Sequence, residues 1–99
     1  MIPHRIKTSI DSYVDNGHDV GHFLGAVLRN DLFEAVFRAD EENLWRLHDI
    51  CRYIFNFAPS SCWGSMEKVE TWKKLHRVNP AQAERIALAD RDKRKDYEL

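Results

Sequence analysis

The sequence predicts an all-α fold, a compact five- to six-helix bundle around a central apolar helix at about residues 41–58. Three observations carry this. Apolar residues recur at spacings of three and four along most of the chain. Residues favoured at helix starts stand where those stripes break. Four Gly and three Pro are too few for a sandwich, which needs a turn roughly every ten residues.

Taken in order, Ile6, Ile10, Tyr13 and Val14 form one stripe on a first helix that starts near Pro3 and stops before Gly17. Asp19 can cap a second helix with Val20, Phe23, Leu24, Val27 and Leu28 inward. Gly21 and Gly25 on its side would admit a close backbone, or merely weaken the helix. Asn30-Asp31 interrupts and can cap a third helix, with Leu32, Phe33, Val36 and Phe37 expected inward. Asp40 caps the fourth, and Glu41 and Glu42 suit its first turn. Leu44, Leu47, His48, Cys51, Ile54, Phe55 and Ala58 run along that helix. Trp45, Ile50, Tyr53 and Phe57 widen the stripe, and a helix this apolar should be wrapped by its neighbours. It breaks at Pro59. Ser65 caps a fifth helix with Val69, Trp72, Leu75 and His76 inward, and Asn79-Pro80 is a stop and restart. Residues 1–78 therefore read as a single helical domain and 79–99 as a partly exposed C-terminal helical extension. Residues 80–89 have few groups to bury, and Asp90 to Lys95 have none.

Composition narrows the function classes. A hydrophobic content of 43% is enough for one modest core, and the formal charge of −1 argues against a nucleic-acid binder. Charge is unevenly spread: residues 1–49 hold nine acids and five bases, residues 50–99 seven acids and ten bases. Such a dipole can support self-association or docking on a charged partner, although a plainly solvated surface has the same composition. Cys51 and Cys62 make no disulfide framework; Cys51 is expected to pack as a small apolar residue. Neither a signal peptide nor a stretch of membrane-spanning length is present, so a reduced, cytoplasmic protein with no membrane partner is expected.

Four constellations could carry chemistry. His18 and His22 share a helical spacing used by metal sites, but a third ligand would have to come from His4, His48, Cys62 or an acid elsewhere, and surface or capping histidines are the favoured reading. His48, within the apolar stripe, reads as a core histidine bonded to Tyr13 or Tyr53; Ser60, Ser61 and Cys62 are too far along the chain to form a triad with it. The turn Pro59 to Ser65 offers Ser60, Ser61, the Trp63 face, Gly64 and the helix start at Ser65, with Lys68 and Trp72 on the helix that follows. Together these can hold a nucleotide-like anion, or the turn is a capped connection with Trp63 packed on Val69 or Trp72. Lys68, Lys73, Lys74 and Arg77 add a basic face. A helix-turn-helix over 31–39 and 41–55 is disfavoured, because Asp40, Glu41 and Glu42 would repel phosphate.

The segments Phe23 to Ala35, Arg38-Ala39-Asp40 and Cys62-Trp63-Gly64-Ser65 resemble a family of small uncharacterised all-helical proteins encoded by tailed phages and prophages. The resemblance covers about residues 5–76, with the remainder as an extension. It implies a genomic context in which short accessory proteins act by binding host machinery, defence systems included. The leading expectation is therefore a non-enzymatic accessory protein that binds a host protein and needs no cofactor. A nucleotide-like anion binder and a metal-dependent enzyme using His18 and His22 are the alternatives. A homodimer is one way to close an apolar patch that a small bundle leaves open.

Overall fold

The computed structural model describes residues 2–97, and every regular element among them is helical. Met1, Glu98 and Leu99 lie outside the described residues, so the last two positions of the expected extension do as well. In chain order the elements are α1 (His4–Asn16), α2 (His22–Leu28), α3 (Leu32–Arg38), α4 (Glu41–Trp45), α5 (Leu47–Phe57), a 3-10 turn (Ser60–Cys62), α6 (Met66–Val78), α7 (Pro80–Leu88) and α8 (Arg91–Asp96). Eight α-helices stand where six at most were expected. The extra two come from a break at Arg46 and from the short last helix.

Most boundaries follow local chemistry. Gly17 ends α1 at φ 72°, a left-handed conformation that Gly adopts without a steric penalty, and its N–H returns to the Tyr13 carbonyl at 2.9 Å. Asp31 accepts from the Glu34 N–H, Asp40 from Asn43, Ser65 from Lys68 and Asn79 from Gln82, each satisfying a donor that the helix start leaves open. Asp19 does not cap α2. Gly21 occupies that position, and the Asp19 carboxylate instead pairs with Lys73 at 2.9 Å. Neither Gly21 nor Gly25 admits another backbone. A Cβ on Gly21 would meet nothing within 4 Å, and one on Gly25 only side-chain atoms of Arg29 and Val20.

The hub is α1, not the expected helix at 41–58. Ile6, Ile10, Tyr13 and Val14 are all buried. Distant segments bond to the end of this helix: Trp72 Nε1 donates to the Tyr13 carbonyl at 3.1 Å, and His76 Nε2 sits 3.1 Å from the Val14 carbonyl. The Tyr13 hydroxyl donates to the Cys62 carbonyl at 2.7 Å. The segment 41–58 is split at Arg46 and buries only Asn43, Ile50, Tyr53, Ile54 and Ala58. Trp45 is 82% exposed and Phe55 70%. The shape explains this. The molecule measures 38 × 29 × 17 Å, and its shortest extent accommodates about two helix layers. In such a slab no helix is enclosed on every side.

The same geometry reverses α3. Leu32, Phe33, Val36 and Phe37 were expected inward, yet all four are exposed, Phe33 at 76% and Phe37 at 81%, and only Ala35 faces the core. The periodicity was real but its direction was not legible. α3 lies close to α2 with the small Ala35 buried, and the bulky side chains are left exposed.

The C-terminal residues also differ from expectation. Ala83 and Ala87 are fully buried, so α7 is held by close approach of small side chains. In α8, expected to bury nothing, Arg94 is almost wholly buried. Its guanidinium donates to the Phe57 carbonyl at 3.0 Å, bonds the Asp15 carboxylate, and brings Nε within 3.4 Å of Asp11. Tyr97 stacks edge-on against Tyr53 and Phe57. Residue-type counts miss this because an arginine can pack its stem while two carboxylates, four apart on α1, take its charge.

Candidate functional site

An apolar groove of about 380 Å³ lies where the end of α2, the outer side of α5 and the 59–65 turn meet. Local backbone chemistry builds it. Asn30, at φ 64°, ends α2 with return bonds from its own N–H to the Val27 carbonyl (3.0 Å) and from the Asp31 N–H to Ala26 (2.8 Å). The Gly64 N–H donates to the Leu28 carbonyl at 2.7 Å, which fastens the turn beside that helix end. Trp63 is thereby set against α5, its ring 5.7 Å from that of Phe55. Ile54, Val27 and these two aromatics supply the apolar lining, while Asn30, His48, Cys51 and Arg52 add polar groups. A volume of this size, apolar with a few polar groups, is typical of ligand and side-chain pockets.

Trp63 is neither packed on Val69 or Trp72 by a stacking contact nor a free platform. It is half-buried, its indole N–H donates to the Ala58 carbonyl at 3.3 Å, and its ring lines the groove. The N–H fixes the ring, and the ring shapes the concavity. Trp72 is different: it lies in the core, bonded to Tyr13, and presents no face to a ligand.

The other residues expected to hold an anion are engaged in the turn itself. The Ser65 hydroxyl accepts from the Lys68 N–H at 3.1 Å, and the Lys68 ammonium donates to the Ser60 carbonyl at 3.2 Å. Ser60 and Ser61 are exposed and do not line the groove. The turn is a capped connection that positions one aromatic. Of the expected binding residues, the groove takes Trp63 alone.

The histidines and cysteines are also rearranged. His18 Nδ1 lies 2.7 Å from the Ser12 hydroxyl, and His22 is exposed at the first position of α2. Among the described residues, no group of three or more His, Cys, Asp or Glu is placed to hold a metal ion. His48 is not a core residue: it is exposed, with Nδ1 3.8 Å from Asp49, while the Tyr13 and Tyr53 hydroxyls bond Cys62 and Asp11 instead. Cys51 does not pack as the small apolar residue expected of it. Cys51 is exposed beside the groove and Cys62 is buried, and both thiols are free. Burial pushes the Cys62 thiol up to about 12, so it stays protonated and is a poor nucleophile. Burial raises Cys51 as well.

Val27, Asn30 and Arg52 were missed as groove residues. Val27 and Asn30 could have been found from the helix end: a non-Gly residue in a left-handed stop places its neighbours beside the next connection. Arg52 carries no local signal. Among the described residues no helix is long and apolar enough to cross a membrane. Compared with protein-family models, curated proteins and solved structures, the chain matches none of them.

Proposed function

We propose that the protein is a non-enzymatic accessory protein of a tailed phage or prophage. On this reading it acts in the host cytoplasm by binding a host protein, with a defence or regulatory complex as the target class. The observation that carries the reading is the outward placement of large aromatics on α5 and the 59–65 turn: exposed Phe55 and half-buried Trp63 flank an apolar groove. Aromatic side chains beside a concavity, with an arginine at hand, have the composition of an interaction hot spot. The inert character of Cys62 and the internal engagement of Ser65 and Lys68 favour binding over covalent chemistry. The phage and host elements rest on the sequence resemblance alone.

The test is recovery of a stoichiometric partner from the host with the intact protein and with Phe55→Asp. Phe55 is exposed, so the variant should keep its melting temperature while losing the partner. Equal recovery by both chains, or no stoichiometric partner with either, would remove the proposal.

A second reading, a small-molecule binder, is favoured by the volume of the groove and the guanidinium of Arg52 on its lining. It moves the anion from the Ser60–Ser65 turn to the α5 side of Trp63. Nucleotides and cyclic nucleotides should then raise the melting temperature of the native chain and not of Arg52→Ala. A flat response to the whole panel would count against it.

A further inference from the structure

We infer that the outward face of α3 is the interface between two copies of this chain, packed antiparallel about a twofold axis. The face is distinct from the groove, since no residue of α3 lines that concavity. Leu32, Phe33, Val36 and Phe37 occupy one continuous stripe, roughly 140° wide at 3.6 residues per turn. All four are exposed, and the helix turns only Ala35 to the core. A solvent-facing stripe of two phenylalanines and two aliphatics is the arrangement of a covered surface.

Charge identifies the occupant. Glu34 and Arg38, paired at 3.1 Å within the helix, follow the Phe33–Phe37 edge of the stripe around the wheel. A twofold that makes two α3 helices antiparallel brings this charged flank against its own copy in reversed direction. Glu34 of each chain then faces Arg38 of the other, and Val36 meets its own copy along the opposite flank. A parallel arrangement would instead set the charges against Leu32 and Val36. The surface is therefore complementary to itself in one orientation, as an isologous interface requires. One short helix per chain makes a small contact, which places the dissociation constant in the micromolar range.

Sedimentation velocity over micromolar to millimolar concentrations tests this, with melting temperature as the folding control. The native chain should pass from monomer to dimer. Phe37→Asp should remain a monomer with an unchanged melting temperature, because its side chain touches solvent. Glu34→Arg and Arg38→Glu should each weaken dimerisation about tenfold or more through like-charge contacts. Mixing these two variants should form a heterodimer, and the double variant should recover native affinity. A native chain that stays monomeric throughout overturns the inference. So does a dimer indifferent to Phe37→Asp, or charge variants whose mixture does not associate, each of which would assign the face to a different occupant or to none. The host-partner reading is tested separately by Phe55→Asp, so the two can fail independently.

Discussion

Trp72 on α6 donates its indole N–H to the main-chain carbonyl of Tyr13 at 3.1 Å, across 59 positions of sequence. That carbonyl also accepts the Gly17 N–H that closes α1, so one oxygen holds both the end of the hub helix and the middle of α6. Trp72→Phe keeps most of the ring volume and removes the donor. It should cost about 1–2 kcal/mol by denaturant unfolding, the usual range for a lost buried hydrogen bond. Trp72→Ala should cost about 3–5 kcal/mol because a cavity is added.

Arg94 is the counter-charge for Asp11 and Asp15. Its removal takes a buried partner from both acids and leaves Lys7 with Asp11 and Arg91 with Asp15, and Arg94→Ala should destabilise the chain by about 3 kcal/mol. Arg94→Lys should restore only part of this, since one ammonium cannot reproduce the fork that meets the Phe57 carbonyl and both acids. Thermal unfolding of the three chains, compared in low and moderate salt, checks the order.

Alkali should unfold the protein cooperatively. Burial lifts the Tyr13 phenol well above its ordinary 10.0, and burial followed by the Asp11 hydrogen bond does the same for Tyr53. Cys62 is raised from 9.0 to about 12, chiefly by burial. Above these ordinary values the folded chain binds more protons than the unfolded one, so stability falls as pH rises. The contribution is complete below about pH 9, where none of the three ionises in either state, declines first through Cys62 and then steepens above pH 10. Tyr13 and Tyr53 should release their protons together with loss of helical circular dichroism. Separate, earlier ionisation of both would contradict their placement.

Two glycines should respond in opposite directions. A Cβ on Gly17 would sit 2.7 Å from the His76 Cβ on a left-handed backbone, so Gly17→Ala should cost at least about 1–2 kcal/mol. Gly25 lies within α2 with only ordinary contacts around the added carbon, and Gly25→Ala should stabilise the chain by up to about 1 kcal/mol. Denaturant midpoints of the two variants decide both.

Five helix boundaries were legible because their caps are local: Gly17, Asp31, Asp40, Ser65 and Asn79 act on atoms within a few positions of themselves, whereas the start of α2 and the break at Arg46 were not. Sidedness was not. The stripe of α3 has the same period whether it faces a neighbour or water, and only the tertiary fold, which buries Ala35, decides which. Trp63 could be singled out as a functional aromatic from its position in a short turn. Its groove could not, because Val27, Asn30 and Arg52 reach it through the fold. Arg94 stayed hidden for a related reason: its carboxylate partners lie on the first helix and its carbonyl partner on α5.

That separation has a consequence for synthesis. The carboxylate of Asp15 is made 79 residues before the guanidinium that bonds it. At translation rates of roughly 5–20 residues per second, Asp15 waits about 4–16 s for Arg94. Through that interval α1, the hub of the finished molecule, has Lys7 beside Asp11 at 2.8 Å, while Asp15 still lacks Arg91 and Arg94. The nascent chain is accordingly dependent on its last helix to settle its first.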